Sequence, residues 1–80
     1  MPNLLVHEGW RFFFYSNEGT PREAAHVHAR AAGAEAKFWL EPEVTLAAAY
    51  GLDARTQRWL YEVVQVHRAQ FLRSWYDYFA

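Results

Sequence analysis

The sequence predicts an α+β fold: a small, mainly antiparallel sheet of four or five strands packed on one long C-terminal helix. Three observations carry this. Up to Leu40 the chain runs in short β-prone stretches separated by turn residues. From Ala54 onward apolar residues recur at three- and four-residue steps, the period of a helix with one buried stripe. Between the two regimes, Gly51-Leu52-Asp53 reads as a stop followed by a helix N-cap.

Asn3 to His7 is a short apolar strand, Glu8-Gly9 a turn, and Trp10 to Ser16 a strongly β-prone run, so a hairpin is expected. Asn17 to Arg22 holds Gly19, Thr20 and Pro21, the composition of a surface loop. Ala24 to Arg30 and Ala34 to Leu40 form a second strand pair about Ala32-Gly33, and Glu41-Pro42-Glu43 ends it. Val44 to Tyr50 is torn between the helix preference of Ala47-Ala48-Ala49 and the strand preference of Val44, Thr45 and Tyr50; a final edge strand is the choice. The helix from Ala54 to about Phe79 places Leu60, Val64, His67, Phe71 and Trp75 on one stripe, extended by Tyr78 and Phe79. Arg55, Arg58, Glu62, Gln65 and Arg73 take the opposite side.

Eighty residues read as one domain over 1–80, which buries only about 60% of the surface its unfolded chain exposes. Six Phe, five Tyr and four Trp are more than so small a core can hold, so some aromatics belong to a contact surface. Eight Lys and Arg against nine Asp and Glu leave a net charge of −1, so nucleic acid could be held only by a local patch. The absence of Cys removes disulfides, thiol catalysis and Cys-type zinc sites. With no membrane-length apolar run and no signal-peptide pattern, a cytoplasmic protein that meets no membrane is the default.

His26-Val27-His28 is the stretch with chemistry. Strand side chains alternate faces, so both imidazoles project from one side of the sheet, roughly 7 Å apart along the strand. Ala25, Val27 and Ala29, with Ala36, Phe38 and Leu40, form the small-residue face that receives the helix. The other face then carries His26, His28, Arg30, Glu35, Lys37 and Trp39, joined by Arg11, Phe13 and Tyr15, and is expected to be open. Cations interleaved with aromatics suit a partner protein, or RNA through base stacking and phosphate contacts. An ordinary solvated sheet face is the plain alternative.

The histidine pair can be read as metal ligands, as an acid and base flanking a phosphate, or as structural and interface residues, the last weighing most. Two imidazoles are too few for zinc, and Glu18 and His67 are the candidates to complete a site. His67 sits on the helix stripe, across the sheet from the pair, where a hydrogen-bonded core histidine is the better reading. A divalent metal is therefore not expected, and no other cofactor is indicated. Glu41 and Glu43 read as solvated turn residues, and no Gly-rich phosphate loop or dinucleotide fingerprint is present.

The segment Gly9-Trp10-Arg11-Phe12-Phe13-Phe14-Tyr15-Ser16-Asn17-Glu18, the His26-Val27-His28 strand, Glu35-Ala36-Lys37-Phe38-Trp39-Leu40, and a final helix with His67 and Trp75 together resemble a family of short bacterial proteins, domain of unknown function (DUF) 4160. The resemblance runs over nearly the whole chain. It implies an α+β fold, signature residues Tyr15, Asn17, Glu18, His26, His28, His67 and Trp75, and a gene beside a second small protein in a toxin–antitoxin-like pair. Members usually carry two prolines before the first histidine, where this chain has Ala24-Ala25, so its entry into the His strand should differ in shape.

The function expected is that of a bacterial interaction module binding a cognate small protein, or a second copy of itself, and RNA, through the face bearing Tyr15, Asn17, Arg30, Lys37 and Trp39. The alternative is a ribonuclease or metal-dependent phosphoesterase with His26, His28 and Glu18 as its catalytic groups and the two histidines as metal ligands.

Overall fold

A computed structural model describes residues 3–15 and 23–79. Five strands form one antiparallel meander in the order of the sequence: β1 (Asn3–His7), β2 (Trp10–Phe13), β3 (His26–Ala31), β4 (Ala34–Trp39) and β5 (Thr45–Tyr50). Of Val44 to Tyr50, Thr45–Tyr50 resolves as strand, because Phe38 and Ala36 in β4 supply ladder partners that an isolated Ala-rich segment lacks, while Val44 precedes the strand and is buried. β2 ends three residues earlier than the β-prone run suggested. Phe14 turns inward off the end of the ladder to meet Trp75, Tyr78 and Phe79, a tertiary contact that composition alone does not reveal.

The C-terminal segment is two helices, α1 (Ala54–Val66) and α2 (Arg68–Phe79), and not one. Asp53 caps α1 as expected, accepting from the Thr56 N–H at 2.8 Å. The interruption falls at His67, whose Nδ1–H donates to Val63 O at 2.9 Å while its own backbone N–H donates to the same carbonyl at 3.1 Å. The ring thus shares Val63 O with the backbone N–H at the residue where the two helices meet. Arg68 then ties the start of α2 to the sheet, donating to Leu40 O at 2.7 Å and Pro42 O at 3.2 Å.

Both helices pack on one face. Phe12, Phe14, Ala25, Val27, Ala29, Ala36, Phe38 and Leu40 meet Leu60, Val63, Val64, Phe71 and Trp75 in a single core. The alternation read from β3 and β4 is the one observed, and Arg55, Arg58, Glu62, Gln65 and Arg73 all lie in solvent. Tyr78 departs from the expected stripe, being about half exposed. The aromatic surplus divides by chemistry: the large exposed aromatics are Tyr50, Tyr61, Tyr76 and Tyr78, the Tyr76 hydroxyl donating to the Glu41 carboxylate, while Phe12, Phe13, Phe14, Phe38 and Phe71 are buried.

The helices cover β5 only thinly. All six residues of β5 are exposed, on both faces, and its outer edge pairs with no other described strand. Gly51 closes the strand at φ +74°, where a Cβ would stand 2.8 Å from Gly33 O, so only glycine lets the chain turn this tightly under the β3–β4 hairpin into α1. No described helix is long and apolar enough to cross a membrane.

Candidate functional site

The strand registers stack the face opposite the helices into cross-strand rows. One row reads Val6, Arg11, Arg30, Glu35, Tyr50 across all five strands; the next reads Phe13, His28, Lys37, Ala48; a third reads His26, Trp39, Thr45. Tyr15 joins them, its ring 4.8 Å from that of His28. Of the residues expected on a binding face, Tyr15, Arg30, Lys37 and Trp39 are thus brought together; Asn17 and Glu18 lie outside the described residues.

The centre of this face is closed, contrary to the expectation of an open surface. His26 and Phe13 are fully buried and His28 is 7% exposed. Aromatic packing provides the cover: Phe13 stacks on His28 at 5.6 Å, the two histidine rings meet edge to face at 5.2 Å, and Trp39 closes on His26 at 5.5 Å. Trp75 also reaches His26, at 4.7 Å, so the helical core buttresses the His strand from behind. Large rings at neighbouring sheet positions lean together and exclude water, which strand alternation does not reveal.

The two histidines, equivalent in the sequence, have different surroundings. His26 Nδ1–H donates to Ala24 O at 2.9 Å, which places a proton on Nδ1 and orients the ring. His28 Nδ1 lies 3.5 Å from Glu35 Oε2, an electrostatic contact longer than a good hydrogen bond. The other oxygen of Glu35 is 3.9 Å from Arg30 Nε. Glu35 was not among the site residues read from the sequence; the signal was its place on the His face, opposite Arg30 in the hairpin. Lys37 is held by Glu23 at 3.1 Å and lies 4.4 Å above the Trp39 ring.

A shallow groove of about 260 Å³ opens over β3 to β5, lined by His28, Glu35, Lys37, Ala48 and Tyr50. The histidine that reaches it is His28, with a carboxylate and an ammonium beside it. Such a set can exchange a proton or hold an anion. As a metal centre it is incomplete: among the described residues no group of three His, Asp or Glu converges, and zinc needs three or four protein ligands. His67 stands apart, half-buried, stacked on Phe71 at 5.8 Å and bonded to its own helix.

Fold and site together define a small α+β protein: a five-stranded meander backed by two helices, with a histidine-bearing aromatic cluster on the uncovered face. Residues 9–76 match the family described as "Domain of unknown function (DUF4160)", and the chain belongs to that family. No curated protein and no solved structure matches it.

Proposed function

We propose that this chain is a small interaction module, one component of a toxin–antitoxin-like pair, that docks a cognate protein along β5 and contacts RNA on the neighbouring His-bearing face. The observation that carries the reading is β5 itself. Thr45-Leu46-Ala47-Ala48-Ala49-Tyr50 has no charge and no proline, is exposed at every position and forms an edge that pairs with no further strand among the described residues. Protein edges are ordinarily blunted by Lys, Pro or covering elements, because an unpaired edge recruits any strand that reaches it. Among the described residues a bulge sets Ala47 out of register with β4, and it leaves Ala48 to Tyr50 regular. A partner strand would extend the sheet and cover Leu46 and Tyr50, and a second copy of this chain would compete for the same edge.

Co-expression with the product of the adjacent gene tests this. A complex is expected by light scattering, with backbone amides of Ala48 to Tyr50 protected from hydrogen exchange on complex formation, and Leu46→Lys should weaken it at least about tenfold by burying a charge at the interface. Monomers in both preparations, or a complex that leaves these amides unprotected, would end the reading. A ribonuclease or phosphoesterase built on His26 and His28 is the second reading, favoured by the Glu35 carboxylate beside His28. It requires His28→Ala to abolish cleavage of a single-stranded substrate in a protein that remains folded.

A further inference from the structure

We infer that Arg11 and Arg30 form a phosphate clamp for single-stranded RNA, with Tyr50 as the adjacent base-stacking platform in the free chain; this deepens the RNA part of the function proposed above, and because Tyr50 ends β5, a strand docked on that edge would compete for the stacking position. The observation is a like-charge cross-strand pair. Arg11 and Arg30 are direct partners in the β2–β3 register and project on the same face as His28. Directly opposed side chains in an antiparallel pair have Cβ atoms about 4.5–5.5 Å apart, and like charges there are destabilising. Both arginines are exposed. Among the described residues Arg11 makes no ion pair. Arg30 has only the 3.9 Å contact to Glu35, a carboxylate it shares with His28, and its side chain remains 52% exposed.

Two arginines directly opposed on neighbouring strands repel until an anion sits between their guanidinium groups, and a phosphodiester oxygen pair matches those planar donors. The row continues through Glu35 to Tyr50, which is 75% exposed. Three inter-strand steps of about 4.8 Å separate Arg11 from Tyr50, roughly 14 Å, a span of about two nucleotides of extended single strand. A phosphate at the arginine pair therefore leaves a neighbouring base within reach of the exposed tyrosine ring, the stacking mode by which sheet surfaces hold unpaired bases. The net charge of −1 means that no global field supplies this attraction, so a local pair must.

The test is binding of a fluorescein-labelled oligo-uridine of about ten nucleotides by the whole chain, read by anisotropy at several salt concentrations. Arg11→Thr and Arg30→Thr should each weaken binding about tenfold and lower the salt slope by about one, and Tyr50→Ala should weaken it about tenfold with the slope unchanged. Arg55→Thr, on the exposed face of α1, is the control and should bind as the parent does. In the free protein Arg11→Thr should raise the thermal midpoint by about 1–5 °C at low salt, since it removes the repulsion, and the gain should vanish at high salt. No binding of the oligonucleotide would overturn both this site and the RNA reading. Binding that is indifferent to Arg11 and Arg30, or oligo-glutamate binding as tightly as the RNA, would overturn the clamp and leave RNA or acidic-protein binding elsewhere.

Discussion

Replacing Trp75 by Ala is the sharpest test of how the fold supports the His face. Trp75 is 1% exposed, and its ring centroid lies 4.3 Å from Phe79, 4.7 Å from His26 and 5.3 Å from Phe14. Truncating a buried Trp to Ala costs about 3–5 kcal/mol, and three ring partners, each worth roughly 0.5–1.5 kcal/mol beyond area burial, place this site in the upper part of that range. An 80-residue protein has about 4–12 kcal/mol of stability at roughly 0.05–0.15 kcal/mol per residue. Trp75→Ala should therefore remove a third or more of the total and bring the unfolding midpoint close to denaturant-free buffer. Urea unfolding followed by far-UV ellipticity measures the loss, and the side-chain nitrogen resonances of His26 report whether its surroundings change with it. Trp75→Phe, which keeps an aromatic ring against His26, should recover much of the stability. A loss below about 1.5 kcal/mol, or His26 resonances unmoved by Trp75→Ala, would show that α2 does not buttress the His strand.

Two further outcomes follow from local geometry. The Thr56 backbone N–H and then its hydroxyl, both donating to Asp53, hold the Asp53 carboxyl below its ordinary pKa. A depressed folded pKa contributes stability that is present above the unfolded value and lost as pH falls through the folded one, so the thermal-midpoint deficit of Asp53→Ala should be full at neutral pH and shrink in acid; a deficit independent of pH would refute the cap's role. Elemental analysis of the purified protein should find no stoichiometric zinc, nickel or manganese, and adding these ions should leave the thermal midpoint unchanged, whereas about one ion per chain, lost in His28→Ala, would show that the pair belongs to a metal centre.

Much of this architecture was legible because its signals are periodic. Alternation in Ala25 to Arg30 and Ala34 to Leu40 identified the core face, and the stripe Leu60, Val64, Phe71, Trp75 identified the helical one. The break at His67 was not legible, since the apolar stripe runs on through it, Val64 before and Phe71 after, and helix periodicity is blind to a one-residue interruption of the backbone. The candidate site divides in the same way. Strand parity put His26, His28, Arg30, Glu35, Lys37, Trp39 and Tyr15 on one face, but did not tell which of them Glu35 would approach or that Trp75 would reach His26. Signature residues of the resemblance thus serve different ends: Trp75 fills the core, His67 stands where the two helices meet, and His28 alone of the three histidines lines the groove over β3 to β5.

By itself the sequence determined the α+β class, the two hairpins β1–β2 and β3–β4, the capped helix start at Asp53 and membership of the family, because hydrophobic period, turn chemistry and motif order are local properties of the chain. Tertiary structure alone decided what is covered and what is not. It closed the histidine pair under Phe13, Trp39 and Trp75, brought Arg11 opposite Arg30, and left β5 exposed on both faces. Register and burial depend on contacts between residues far apart in the chain, and a one-dimensional pattern fixes which face a side chain takes without fixing what stands across from it.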